Sequence, residues 1–258
     1  MPRQLIVSCG TSQIDEKKLN KADLSFSAKR DIKDVKGNEV DDEAYNRFSR
    51  KDYANELILK LVSRWNVLPA IVGNDNNPFG AEISTLAKMQ EEGIFDPSHD
   101  SVVILYSDTE KGSLCAGIVY HLLMESSWTV ADARITLVRV TGLREDMGDQ
   151  QRAAQAERSL CDCIRDSLRP NQSILVVTGG FKSVIPFFTA FALVYGVPMF
   201  YLFEASSNLR SIKPPRIKKP TLWQEWKQYF SSGAEPQDAL SYILIAEDSE
   251  TQFGAPLV

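Results

Sequence analysis

The chain has 258 residues, 43 % of them hydrophobic, enough for a core that would serve one large α/β domain or a domain of about 200 residues with a small appendix. Its 29 Lys and Arg against 34 Asp and Glu give a net charge of −5, which argues against non-specific binding to long nucleic acid. A small anion in a local basic pocket stays compatible with that total, because steering follows the local field. The opening MPRQLIVSCG is too short an apolar run for a signal peptide, and no window reaches the roughly 18–20 apolar residues of a membrane span, so a cytoplasmic protein without a membrane partner is expected.

In chain order, Leu5-Ile6-Val7-Ser8-Cys9 reads as a first strand closed by Gly10-Thr11-Ser12. Residues 13–50 are rich in Lys, Asp, Glu and Asn and read as a solvated insertion. From Tyr53, Ala54, Leu57, Ile58, Leu61, Val62 and Trp65 follow helical spacing. Leu68 to Val72 suits a second strand with a turn from Asn74 to Pro78, and the run from Ala81 to Leu86 opens another helix. Val102 to Tyr106 is an apolar run of the kind buried on both faces. It ends in Ser107-Asp108-Thr109, followed by Gly112 and a helix through Ala116, Val119, Leu122 and Leu123. Ile135–Val140 reads as a strand, 150–168 as an amphipathic helix, Ser173–Thr178 as a strand, Ser183–Tyr195 as a helix and Pro198–Phe203 as a strand.

The four cysteines show no zinc spacing, and on a helix Cys161 and Cys163 would point about 200° apart, so reduced thiols are expected. Strands alternating with helices predict an α/β fold: a Rossmann-like, doubly wound, mostly parallel sheet with helices on both faces. That unit is read over residues 1–205. Residues 206–258 are a small C-terminal extension, beginning with a basic arm, SNLRSIKPPRIKKP, that carries five basic residues, three prolines and no acid. A short helix at 222–230 and a strand at 242–246 complete the extension.

In an open α/β sheet, ligands sit at the C-terminal ends of the parallel strands, where strand order reverses. Three strands here end in small polar turns: Gly10-Thr11-Ser12, Ser107-Asp108-Thr109, and Thr178-Gly179-Gly180-Phe181-Lys182. Free N–H groups at helix starts favour anions, glycine allows close approach, and hydroxyls add donors. The same residues also serve as ordinary turns and caps in any α/β protein. Neither GxGxxG nor a P-loop is present, which weighs against a dinucleotide dehydrogenase and an NTPase.

Ser8-Cys9-Gly10-Thr11-Ser12, AEISTL at 81–86, SDTEKG at 107–112, and TGGFK at 178–182 followed by YGVPMFYLFE together resemble the CARF family, the CRISPR-associated Rossmann-like fold. The resemblance runs over roughly residues 1–205. It implies a homodimer whose two domains share one pocket for a cyclic oligoadenylate, the second messenger of type III CRISPR systems, with cyclic tetra-adenylate the commonest ligand. A ring of four adenylates contains two-fold symmetry, so a C2 dimer would present each loop twice to equivalent phosphates. Adenine rings would need lateral pockets, for which residues 74–86, Asn74 and Glu82 among them, and residues 107–112 are candidates. No cofactor, no metal and no long nucleic acid in this pocket are expected.

Two activities are open under this resemblance. A sensor couples the pocket to an effector such as a HEPN ribonuclease, whose RxxxxH motif is not in these 258 residues, so a sensor would act on an effector in trans or from a longer chain. Its two histidines are His99, in a polar loop where it reads as exposed, and His121, on a helix among apolar neighbours where it reads as structural. A ring nuclease instead lets a ribose 2′-OH attack the adjacent phosphodiester. The positions matching that branch are Ser12, orienting the scissile phosphate, and Lys182, stabilising the phosphorane. Both would be needed equally by a protein that only binds. A transcriptional regulator would need a helix-turn-helix in the last forty residues, where one clear helix is read, and a Rossmann-like enzyme for another nucleotide remains a third class.

Overall fold

The computed structural model describes residues 2–11, 14, 80–125, 128–144, 150–169, 171–177, 184–202 and 208–212. In chain order these form β1 (Gln4–Cys9), α1 (Ala81–Glu91), β2 (Ser101–Ser107), α2 (Glu110–Glu125), β3 (Ile135–Val140), α3 (Gln150–Ser167), β4 (Ser173–Val176), α4 (Ile185–Tyr195), β5 (Met199–Leu202) and β6 (Leu209–Ile212). The expected helix at 53–65, strand at 68–72, helix at 222–230 and strand at 242–246 lie outside the described residues.

The strands form one six-stranded sheet in the order β3-β2-β1-β4-β5-β6. All neighbours are parallel except β5 and β6. This is the Rossmann-like, doubly wound architecture expected from the alternation of elements. The chain moves outward from β1 through β2 to β3, then returns to the other side of β1 and moves outward through β4 and β5. Strand order therefore reverses between β1 and β4, which pair directly with Val7 opposite Val176.

Period-two alternation divides the apolar residues between two cores. Leu5, Val7, Val102, Ile104 and Tyr106 face α1 and α2, packing with Ile83, Leu86, Leu114 and Ile118. Ile6, Val103, Leu105 and Leu175 face α3 and α4, packing with Leu160, Ile164, Phe188 and Phe191. Every residue of β1 is buried, as a central strand covered on both faces must be. Helix α4 follows β4 with Pro186 in its first turn, where a missing N–H costs nothing, and ends at Gly196 in the left-handed conformation, φ 66°.

Two boundaries differ from the sequence reading. Helix α2 begins at Glu110, so Gly112 lies inside its first turn and Thr109 is the cap. Residues 209–212, read as the start of the basic arm, are an antiparallel edge strand with Met199 opposite Ile212. The sheet thus runs past residue 205. Among the described residues no helix is long and apolar enough to cross a membrane.

Candidate functional site

Parallel pairing levels the strand ends: Cys9 lies opposite Tyr106, and Ser107 opposite Val140. With about 4.8 Å between neighbouring strands, the exits of β2, β1 and β4 fall within about 10 Å of one another. Gly10 and Thr11 after β1, and Ser107, Asp108 and Thr109 at the end of β2, lie at this edge, with the β1 exit between those of β2 and β4. Helix α2 starts there, two residues beyond β2, and α1 starts there too, because Glu82 in its first turn touches Gly10. Helix starts carry unpaired N–H groups and partial positive charge, so the edge suits an anion.

At the β1 exit the Gly10 N–H donates to Glu82 Oε1 at 2.8 Å. Glu82 is fully buried, and the Gly10 amide is therefore committed inside the protein. The neighbouring Cys9 thiol donates weakly to the Gly10 carbonyl at 3.5 Å. Its pKa is pushed well above the ordinary thiol value, first by burial, then by the negative charge of Glu82 and by Cys115. Thr11 is half-buried and its carbonyl accepts the Ile14 N–H at 3.2 Å. Ser12 lies outside the described residues, as do Asn74, Thr178, Gly179, Gly180, Phe181 and Lys182.

At the β2 exit the side chains are already partnered. Ser107 Oγ and Thr109 Oγ1 lie 3.0 Å apart, and Thr109 Oγ1 also accepts the Gly112 N–H at 3.0 Å. That second bond is a helix N-cap, the ordinary use of threonine at this position. Asp108 turns sideways: Oδ2 accepts the Gly142 N–H at 2.9 Å, and Oδ1 pairs with Arg139 Nε at 3.7 Å. Its own N–H donates to the Leu143 carbonyl at 2.9 Å. Asp108 thus braces the turn after β3, where Gly142 has φ 77°. Ser107, Asp108 and Thr109 are 5 % exposed or less.

One residue at this edge escaped the sequence reading. Arg139 is the one charged residue of β3, Ile135–Val140, and a charge in a mostly apolar strand is the signal that its side chain reaches solvent. Lys111, inside the 107–112 stretch singled out in the sequence, is the second residue of α2, where an ammonium opposes the helix dipole. Neither histidine is at this edge. His99 precedes β2, exposed, with Nδ1 2.9 Å from Asp96 Oδ2. His121 is half-buried on α2, its ring 5.2 Å edge-on from Tyr120, about 16 Å along the helix from its start. Among the described residues no group of three His, Cys, Asp or Glu is placed to hold a metal.

No curated protein matches this sequence. A family model does, that of the CRISPR-associated protein family Cas_APE2256, over residues 77–215, which spans α1 to β6 and includes the TGGFK stretch. That span is more than half of the chain, and it contains the crossover from β1's partner β2 to β4 on which the edge site depends. The protein belongs to the CRISPR-associated family Cas_APE2256.

Proposed function

We propose that this protein binds a cyclic oligoadenylate, cyclic tetra-adenylate first among them, in a pocket shared by two copies of the chain, and opens the ring slowly without metal or other cofactor. The role is an off-switch for type III CRISPR signalling. The observation that carries this reading is the sheet order, which sets the β1 exit between those of β2 and β4 at the point where strand order reverses. Membership of a CRISPR-associated family supports choosing an anion that such systems use.

In this reading Lys182 of each copy contributes a cation near the two-fold axis, and Ser12 orients the scissile phosphate. A ribose 2′-oxygen bonds to phosphorus while the bond from phosphorus to the 5′-oxygen breaks. The 2′-hydroxyl proton passes to solvent, Lys182 offsets the charge of the phosphorane, and the same ammonium protonates the leaving 5′-oxygen and regains a proton from solvent. The products are linear oligoadenylates ending in a 2′,3′-cyclic phosphate. In-line positioning and charge stabilisation supply the rate. Neither histidine is at the edge, so the roughly 10²- to 10⁴-fold of a well-matched acid–base pair is missing and slow turnover is expected.

The test is a single-turnover incubation with cyclic tetra-adenylate in EDTA, quenched over an hour and resolved by mass. Linear product with a 2′,3′-cyclic phosphate is the expected result, abolished in Lys182→Ala and slowed with affinity largely kept in Ser12→Ala. Intact ring bound to the protein would make it a sensor. No binding at all would overturn the ligand assignment, and loss of cleavage only in EDTA would reveal a metal.

A further inference from the structure

A fully buried carboxylate beside a proposed phosphate site is a conflict that calls for a physical reason. Glu82 is 0 % exposed and sits in the first turn of α1, 72 residues along the chain from the amide it binds, Gly10 N–H, at 2.8 Å. Charged residues are almost never fully buried unless partnered. The dipole of its own helix and a backbone amide both act on this one. The positive end of the α1 dipole surrounds it, and the Gly10 amide donates to it.

We propose that Glu82 is a positioning residue of the nucleotide site: its carboxylate withdraws the Gly10 N–H from the set of anion donors and fixes the path of Gly10-Thr11, so that ligand contact from this turn begins at Thr11. The proposal rests on the reading of this edge as the nucleotide site, and it reassigns Glu82 from ligand contact to support. A phosphate seated on the Gly10 amide would have to displace Glu82 and lie against its negative charge. The same charge reaches Cys9, whose thiol it helps hold in the neutral form. Gly10 is thereby gripped on both sides, its N–H by Glu82 and its carbonyl by the Cys9 thiol. A turn held this way has little freedom, which is what in-line positioning of a phosphate by the next residues requires.

The mechanism is reach and not charge, and two conservative variants of the full chain separate them. Glu82→Asp keeps the charge but is one methylene short of Gly10. Glu82→Gln keeps the reach through its amide oxygen and loses the charge. Two readouts follow: hydrogen exchange at the Gly10 amide without ligand, and single-turnover cleavage of cyclic tetra-adenylate with affinity measured alongside. The expected result for Glu82→Asp is Gly10 exchange about tenfold faster and cleavage about tenfold slower, with affinity changed less than about threefold, as loss of one hydrogen bond allows. Glu82→Gln should stay within about threefold of wild type on both readouts. Unchanged Gly10 exchange in Glu82→Asp overturns the proposal, as does damage in Glu82→Gln equal to that in Glu82→Asp. Wild-type protein that neither binds nor cuts the ring sinks the proposed ligand, while Gly10 exchange, read without ligand, still decides for or against Glu82.

Discussion

Substituting Gly112 by alanine should destabilise the protein although it replaces the poorer helix former with the best one. Gly112 is the third residue of α2 and lies against the end of β2. A Cβ built there would stand 2.2 Å from Ser107 Oγ, 2.6 Å from the Ser107 carbonyl oxygen and 3.2 Å from its carbonyl carbon. The hydroxyl could rotate away, at the loss of its 3.0 Å contact with Thr109 Oγ1, worth about 1 kcal/mol. The carbonyl belongs to the strand and cannot rotate, so helix and strand must part by several tenths of an ångström in a packed interior. Overpacking of this kind costs about 1–3 kcal/mol. Against these, the propensity gain is about 1 kcal/mol. The balance is a loss of about 2 kcal/mol, or about 4–8 °C in Tm for a chain of this size, read by circular dichroism melting. Ser107→Ala/Gly112→Ala removes the hydroxyl clash and leaves the carbonyl one, so it should lose less than the two single variants summed while staying below wild type. An alanine variant that melts at or above wild type would refute the close-approach reasoning.

Thiol chemistry follows burial. The Cys9 thiol is raised well above the ordinary range, chiefly by desolvation, and Cys161 is raised to about 12 by burial and by Asp162 and Glu157. Half-buried Cys163 is raised less strongly, again first by burial. Alkylation at pH 8 mapped by mass spectrometry should therefore modify Cys163 first, with Cys9 and Cys161 protected until denaturant is added; early labelling of Cys9 would contradict the packing of β1. In the loop before β2, hydrogen bonds from Ser98, then from His99, lower the Asp96 pKa to about 2. Because this folded value lies below the ordinary carboxylate value, the contribution to stability is present above about pH 4 and is lost as pH falls through about 2. Asp96 carbonyl shifts followed by NMR should titrate there, and Ser98→Ala should move the midpoint upward; an unmoved midpoint would deny the Ser98 bond.

Periodicity made most of the scaffold readable. Val102–Tyr106 and Ile135–Val140 announce strands because covered strands need continuous or alternating apolar residues, and 150–168 announces α3 by its amphipathic spacing. β6 escaped because an edge strand of four residues, Leu-Arg-Ser-Ile, buries too little to leave a pattern, and its basic and proline-rich continuation reads as arm. In sequence Gly112 reads as the residue ahead of a helix; as a contact between α2 and β2 it is visible only once Ser107 is seen beside it.

The small polar turns after β1 and β2, and the glycine-rich stretch that follows β4, are local chemistry, so the sequence alone identified them as anion-favouring or as caps without choosing between the two. Choosing required pairings between distant residues, which loop closure and sheet register decide and local propensity does not encode. Only the fold puts β1 between β2 and β4 and brings the three strand exits to one edge. Only packing turns Asp108 toward Gly142 and uses Thr109 as the α2 cap. Glu82 shows the reason most directly. In sequence it is an acid in a helix's first turn, an ordinary complement to the dipole. In the structure α1 and β1 pack into one core, and the buried carboxylate accepts the N–H of Gly10, 72 residues away in sequence.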